Sequence, residues 1–519
     1  MRKINKFLAV ALASAMTLGL VACSGADTAT APAADTTAAA TTDTAAEPAA
    51  DTTAAEPAAD AAGATTINVY RACFNLGAVD SARTQEVQDA INAYIADKIP
   101  VQIALTDVSS GEYTDKANLA LNNNEINLLW TASWESTIGT KDLYAANAVY
   151  DLTDLLPGTD LYNSMDANQW EASKYGGKNY FIPVYKDNVE GYDFMFRKDL
   201  VDEFGWDITT VKTLADLQPM LEDAKNKGLK YPLLLQKTAM FYRWYIDSFD
   251  FFTGDATSNW VSVDRATNEV VDTVLTPQYL EFCQLMADYA EAGYISEDEV
   301  NKVTTDTTTQ SQDWAISWWT DLPNNAEANG RYGQEVVMQS AGNRYLHTDS
   351  MLGSCYCVTA NSTPEQAQAC VDFVGLLYTD KTLADMYTYG IEGTDFNYDA
   401  DGNVEKVADA SYNHSMWESA SATVVSPEST SPYTAQMYID FNSSALISCA
   451  NGFQFDKTPV EAQYTACQAI FDEYGFVLET GGVASSDVAS TIEAYQAALD
   501  EAGYQDVLAE FQNQYNAWK

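Results

Sequence analysis

Trp130, Trp134, Tyr185, Tyr242, Trp244, Trp318, Trp319 and Trp417 stand near strand ends or in polar loops, where a large flat ring can meet a ligand. Arg71, Asp187, Arg243, Asp321 and Glu392 are interleaved with them. An aromatic face attracts an apolar surface, while charged groups hydrogen-bond a polar rim. A sugar ring carries both, so the chemistry these residues offer is non-covalent recognition of a carbohydrate or similar polar solute. Core packing is the competing use of each tryptophan. It is weakest for Trp318 and Trp319, because a strand buries only one of two adjacent side chains in its own face.

Covalent chemistry finds little support. The chain has no Gly-x-Ser-x-Gly elbow, His-Glu-x-x-His pair, phosphate loop or dinucleotide glycine fingerprint. His347 and His414 are its only histidines; both lie beside polar loop residues and read as structural or incidental. Among 74 acidic residues a carboxylate pair is not diagnostic. The expectation is therefore a binding protein without catalytic residues, cofactor or metal. Of eight cysteines, most sit in apolar contexts and read as small buried hydrophobes. Cys355 and Cys357 share one side of a strand.

The elements that must position these residues follow from periodicity. Ile67–Tyr70 reads as a first strand, and Val87, Ile91 and Ile95 form a helical stripe ended by Pro100. Val101–Leu105 reads as a second strand, Glu112–Asn122 as a helix and Ile126–Trp130 as a third strand. This alternation predicts a parallel α/β sheet, with ligands beyond the carboxyl ends of its strands. Tyr180–Tyr185 is extended and suits a passage between lobes. Phe194–Leu200 opens a second unit, to which a helix after Thr213, a strand at Tyr231–Leu235, a helix at Pro277–Glu291 and a strand at Trp314–Trp319 belong. Thr363, Pro364 and Gln366 form a helix start, and Thr458-Pro459 reads as another. The tail has two helical runs hinged at Gly503.

The N-terminus carries an address. Arg2, Lys3 and Lys6 precede an apolar run from Phe7 to Leu20, shorter than the roughly 20 residues of a spanning helix. Leu20-Val21-Ala22-Cys23 resembles the bacterial lipobox, which implies cleavage after residue 22 and lipidation of Cys23. Residues 23–65 are almost entirely Ala, Thr, Asp, Glu and Pro, a composition that cannot repay the entropy of ordering and reads as a disordered tether. The net charge of −47 excludes nucleic-acid binding by backbone electrostatics and disfavours adsorption to anionic lipid. It is consistent with membrane attachment through a lipid anchor.

The leader, the tether and a folded region of about 450 residues, enough for two lobes, resemble the extracellular solute-binding lipoproteins of ABC importers. Asn451-Gly452-Phe453-Gln454-Phe455-Asp456-Lys457-Thr458-Pro459-Val460-Glu461, Tyr474-Gly475, Ala502-Gly503-Tyr504 and Glu510–Gln514 with Trp518 are similar to the DUF3502-type C-terminal domain of LipO-like members. Thr213–Leu217 and Gly390-Ile391-Glu392-Gly393 look like interior segments of that family. The resemblance implies a periplasmic-binding-protein-like fold, two α/β lobes joined by a hinge with the ligand cleft between them. It implies a monomer on the extracytoplasmic membrane face that delivers a carbohydrate, an oligosaccharide, to permease subunits. The expected lobes are 66–184 with 350–410, and 185–349 with 411–519, of which 440–519 is family-specific. A polysaccharide-binding adhesive lipoprotein and an oligopeptide binder remain alternatives.

Overall fold

Ile67 and Val69 alternate with less buried neighbours, and the strand they build, Thr65–Cys73, presents both to a closed core. The computed structural model describes residues 63–236, 238, 240–251, 260–301, 310–319, 322 and 326–519. The expected leader, Cys23 and nearly all of the tether lie outside the described residues.

Helix Ser81–Ile95 starts on Asp80, whose carboxylate accepts the backbone N–H groups of Ala82 and Arg83, and it buries Val87, Ile91 and Ile95. The strand that follows, Val101–Ser109, lies parallel to Thr65–Cys73 along its full length. After helix Ser110–Asn122, strand Leu128–Thr131 joins the other side, also parallel. Two strands from further along complete this five-stranded sheet. Cys355–Val358 runs antiparallel to Leu128–Thr131, and Phe181–Pro183 antiparallel to Cys355–Val358. Helix Pro364–Leu377 packs over the sheet. Its Thr363 and Gln366 form a reciprocal capping box at 3.2 and 3.0 Å, a cap of about 1 kcal/mol.

The second lobe has its own four-stranded sheet, in the order Val336–Ser340, Asp193–Arg197, Trp314–Trp319, Tyr231–Leu233. Helices Pro277–Glu291, Glu461–Glu479, Val488–Glu501 and Tyr504–Trp518 close its core through Phe282, Met286, Phe471, Tyr495, Val507 and Phe511. The break between the last two helices falls at Gly503, whose φ of 89° a side chain rarely adopts. Thr458-Pro459 opens only a single 3₁₀ turn, and helix Glu461–Glu479 follows without a side-chain cap. Each of the seven described cysteines carries a free thiol; six are buried and Cys449 is partly exposed.

Among the described residues the chain passes between the two cores three times: after Tyr185, between Met338 and Leu352, and between Val425 and Ala450. Each passage contributes one strand to a small sheet, ordered Leu446–Ile447, Tyr345–Leu346, Val189–Glu190. This sheet is the hinge. Gly191 beside it must be glycine, because a Cβ there would lie 2.6 Å from Arg344 Cγ. One boundary differs from the sequence expectation. Residues 411–425 were expected in the second lobe, yet Tyr412, Ala420, Ala422 and Val425 are buried in the first core. The reason is Arg71, which donates to the Tyr412 hydroxyl and draws this loop onto the first sheet.

Candidate functional site

Between the lobes runs a groove with two adjoining compartments. The smaller, about 420 Å³, extends from Trp134 past Asp187, Glu190 and His347 to Arg265. The larger, about 810 Å³, is walled by Trp134 and Trp417 on one side and by Trp318, Trp319 and Tyr332 on the other. Trp134, Lys186, Asp187 and Gly353 line both, which makes them one continuous groove.

The first wall is built on Trp130, at the end of strand Leu128–Thr131. Its ring is wholly buried, and its Nε1 donates to Ser354 Oγ at 2.9 Å. Phe74, Trp134 and Trp417 contact it edge-on, with centroids 5.5, 6.0 and 6.0 Å away. Trp134 is 53% exposed. Its indole N–H donates to the Gly353 carbonyl at 2.7 Å, which satisfies its one polar atom and leaves an apolar face toward the groove.

The opposite wall rises from strand Trp314–Trp319. Trp318 Nε1 donates to the Leu235 carbonyl at 3.2 Å, and the Arg243 guanidinium lies 3.7 Å over its ring. Arg243 is also 4.3 Å from the Tyr242 ring and 5.3 Å from that of Tyr192. The adjacent Trp319 turns the other way, nearly buried, with Tyr332 edge-on at 5.4 Å. Both tryptophans still contribute surface to the larger compartment.

The floor of the smaller compartment is the hinge. The register Leu346↔Val189 and Tyr345↔Glu190 brings His347 Nε2 to 3.0 Å from Glu190 Oε2, and the Tyr192 hydroxyl donates to Glu190 Oε1 at 2.6 Å. Burial favours a neutral imidazole, and so does the Asp349 backbone N–H that Nδ1 accepts at 3.2 Å. The Glu190 carboxylate outweighs both and lifts His347 to about 9. Glu190 in turn falls to about 2: burial opposes its ionisation, but His347, Tyr192 and Arg243 favour it.

Residues 89–409 match the family model of the bacterial extracellular solute-binding proteins, and residues 449–519 match a domain of unknown function, DUF3502. The chain belongs to the bacterial extracellular solute-binding proteins. A carbohydrate ABC transporter substrate-binding protein of Streptococcus pneumoniae serotype 4 (strain ATCC BAA-334 / TIGR4) is 23% identical over 442 residues, 82% of this chain and 86% of its own. Among solved structures, the N-glycan transport solute binding protein NgtS of Streptococcus pneumoniae superposes with a TM-score of 0.72 at 19% identity, covering 87% of this chain and 98% of its own. FusA of S. pneumoniae, solved with kestose, gives 0.57 at 14% identity over 88% and 99%. These likenesses establish the two-lobed fold.

In this solute-binding protein Trp134, Asp187, Tyr242, Trp318, Trp319 and Trp417 come together along the groove. Arg243 and Trp130 stand directly behind its walls. The five other candidates lie elsewhere or outside the described residues. Arg71 is fully buried, with Nε 2.6 Å from Asp107 and Nη1 2.7 Å from the Tyr387 carbonyl, so its guanidinium is occupied by the first lobe. Tyr185 is buried in the first core and Trp244 stacks on Phe194 at 4.4 Å. Glu392 is exposed and lines neither compartment, and Asp321 lies outside the described residues. Sequence reasoning missed Lys186, Glu190, Tyr192, Arg265 and Asp349, and it read the cleft residue His347 as structural. His414, read the same way, is buried between Asp107 and Glu418.

Proposed function

We propose that this solute-binding protein captures an oligosaccharide between its lobes and presents it to the permease of an ABC importer. The observation that carries this reading is the pair of aromatic walls, Trp134 with Trp417 and Trp318 with Trp319, on opposite lobes of one groove. Stacking from both sides suits a flat sugar face, and the charged hinge floor supplies donors and acceptors for hydroxyls. The compartments together exceed the ~300–1,000 Å³ of an ordinary small-molecule pocket, which favours several rings over one. The ligands in complexes of similar proteins, Man1GlcNAc, Man5GlcNAc and kestose, point the same way.

Ligand bound to both walls favours the closed arrangement of the lobes, and that arrangement docks on the permease. Lipidated Cys23 and the tether of residues 23–65 hold the monomer at the outer membrane face and leave the lobes free to move. An adhesive role would be served better by aromatic rings on one flat exposed face than by rings divided between two lobes. Titration calorimetry against Man1GlcNAc, Man5GlcNAc, kestose, mannotetraose and maltotetraose tests the reading. One-to-one binding of at least one is expected; no heat with any overturns it.

A further inference from the structure

We propose that the smaller compartment is an end subsite for an uncharged terminal sugar ring, which accepts a hydrogen bond from Arg265 and donates one to Asp349; this rests on the oligosaccharide reading above. The Arg265 side chain is only 10% exposed and is fixed on three sides. Its Nε donates to the Ile246 carbonyl at 2.7 Å, its Nη1 donates to Asp250 Oδ2 at 2.9 Å, and its plane lies 3.8 Å over the Tyr345 ring. Asp250 itself is anchored by the Ser448 hydroxyl. Nη2 is buried and has no partner among the described residues.

Asp349 shows the complementary state. Its Oδ2 meets Lys141 Nζ at 3.2 Å, while Oδ1 is buried without a partner. Both residues line the same compartment, one from each side of the hinge. Unpartnered buried polar atoms are costly and uncommon, and a donor and an acceptor of this kind on two residues lining one cavity mark a place where ligand atoms complete the bonding as the lobes close. Sugar hydroxyls can both accept and donate.

Charge selects against an acidic ring. Every cation lining the compartment already has an anionic neighbour: Lys186 with Asp187 at 3.1 Å, His347 with Glu190 at 3.0 Å, and Arg265 with Asp250 at 2.9 Å. A uronate carboxylate could approach Arg265, but it would meet Asp187, Glu190 and Asp349 on the same walls and leave Asp349 Oδ1 without a donor.

Calorimetry on the full chain with mannotetraose and maltotetraose, each against its C6-oxidised uronate counterpart, tests the subsite. The neutral probe should bind at least tenfold more tightly than its counterpart. Arg265→Gln should weaken neutral binding tenfold or more, and Asp349→Asn should narrow the neutral-to-acidic gap by a similar factor, an effect that loss of packing alone would not produce. If Arg265→Gln also lowers the melting temperature, the Asp349→Asn ratio decides. A uronate that binds as tightly as its neutral partner, or neutral binding unchanged in both variants, overturns the subsite and leaves the oligosaccharide reading standing. No heat from any neutral probe, including those named for the proposed function, overturns both.

Discussion

The Arg243 guanidinium lies 3.7 Å over the Trp318 ring, so one face of that indole is occupied from within the second lobe. Only its other face and its edge remain for the groove. The cation–π contact, about 0.5–2 kcal/mol, holds the ring in one orientation, as does the bond from its Nε1 to Leu235.

Trp318→Ala should therefore weaken oligosaccharide binding roughly tenfold or more, since a stacked ring contributes about 0.5–1.5 kcal/mol beyond its buried area. Calorimetry reads this directly. Unchanged affinity would remove Trp318 from the site.

Trp130 and Trp134 should respond in opposite ways. Trp130 is wholly buried, and its truncation to alanine should cost about 3–5 kcal/mol of stability in a urea titration. Trp134 is half exposed, so Trp134→Ala should cost well under about 1 kcal/mol of stability yet weaken binding. A stable Trp130→Ala chain, or full binding by Trp134→Ala, would contradict the division into support and contact surface.

Arg71 is a stability residue on this structure. It pairs with Asp107, which also faces His414 Nε2 at 3.3 Å; His414 Nδ1 lies 3.2 Å from Glu418. Burial opposes the charge on Asp107, but Arg71 and His414 hold its carboxyl well below the usual range. Breaking a buried pair costs about 3–5 kcal/mol, and Asp107→Ala should show that loss in denaturant. A folded, stable Arg71→Met chain that fails to bind sugar would place Arg71 in recognition after all.

How much of this was legible in the sequence depends on the range of the interaction. The alternation around Ile67 and the stripe Val87, Ile91, Ile95 are local, so the first strands and helices were readable. The antiparallel insertion of Cys355–Val358 between two early strands has no local mark. The same holds for His347, whose partner Glu190 arrives only through the hinge register. Arg71 did carry a signal: it and Asp107 are opposite charges at the same offset in two neighbouring strands, and the parallel register makes them direct partners. Arg265 and Asp349 stood among too many charged residues to be singled out.

The hinge pair has a pH signature. His347 is raised from 6.5 to about 9, so its contribution to stability is complete below about 6.5 and lost as pH rises through about 9. Glu190 is lowered from 4.5 to about 2, so its contribution is complete above about 4.5 and lost as pH falls through about 2. The melting-temperature difference between the natural chain and His347→Gln should be largest between about pH 4.5 and 6.5 and shrink by about pH 10. A difference that stays constant across that range would contradict the pairing.

The most direct measurement is calorimetric titration of the natural chain and of a Trp134→Ala/Trp318→Ala double variant with the neutral oligosaccharides named above. One-to-one binding by the natural chain, weakened about a hundredfold or more when one ring is removed from each wall, is the expected result. No binding by the natural chain, or equal binding by the double variant, would contradict capture between two aromatic walls.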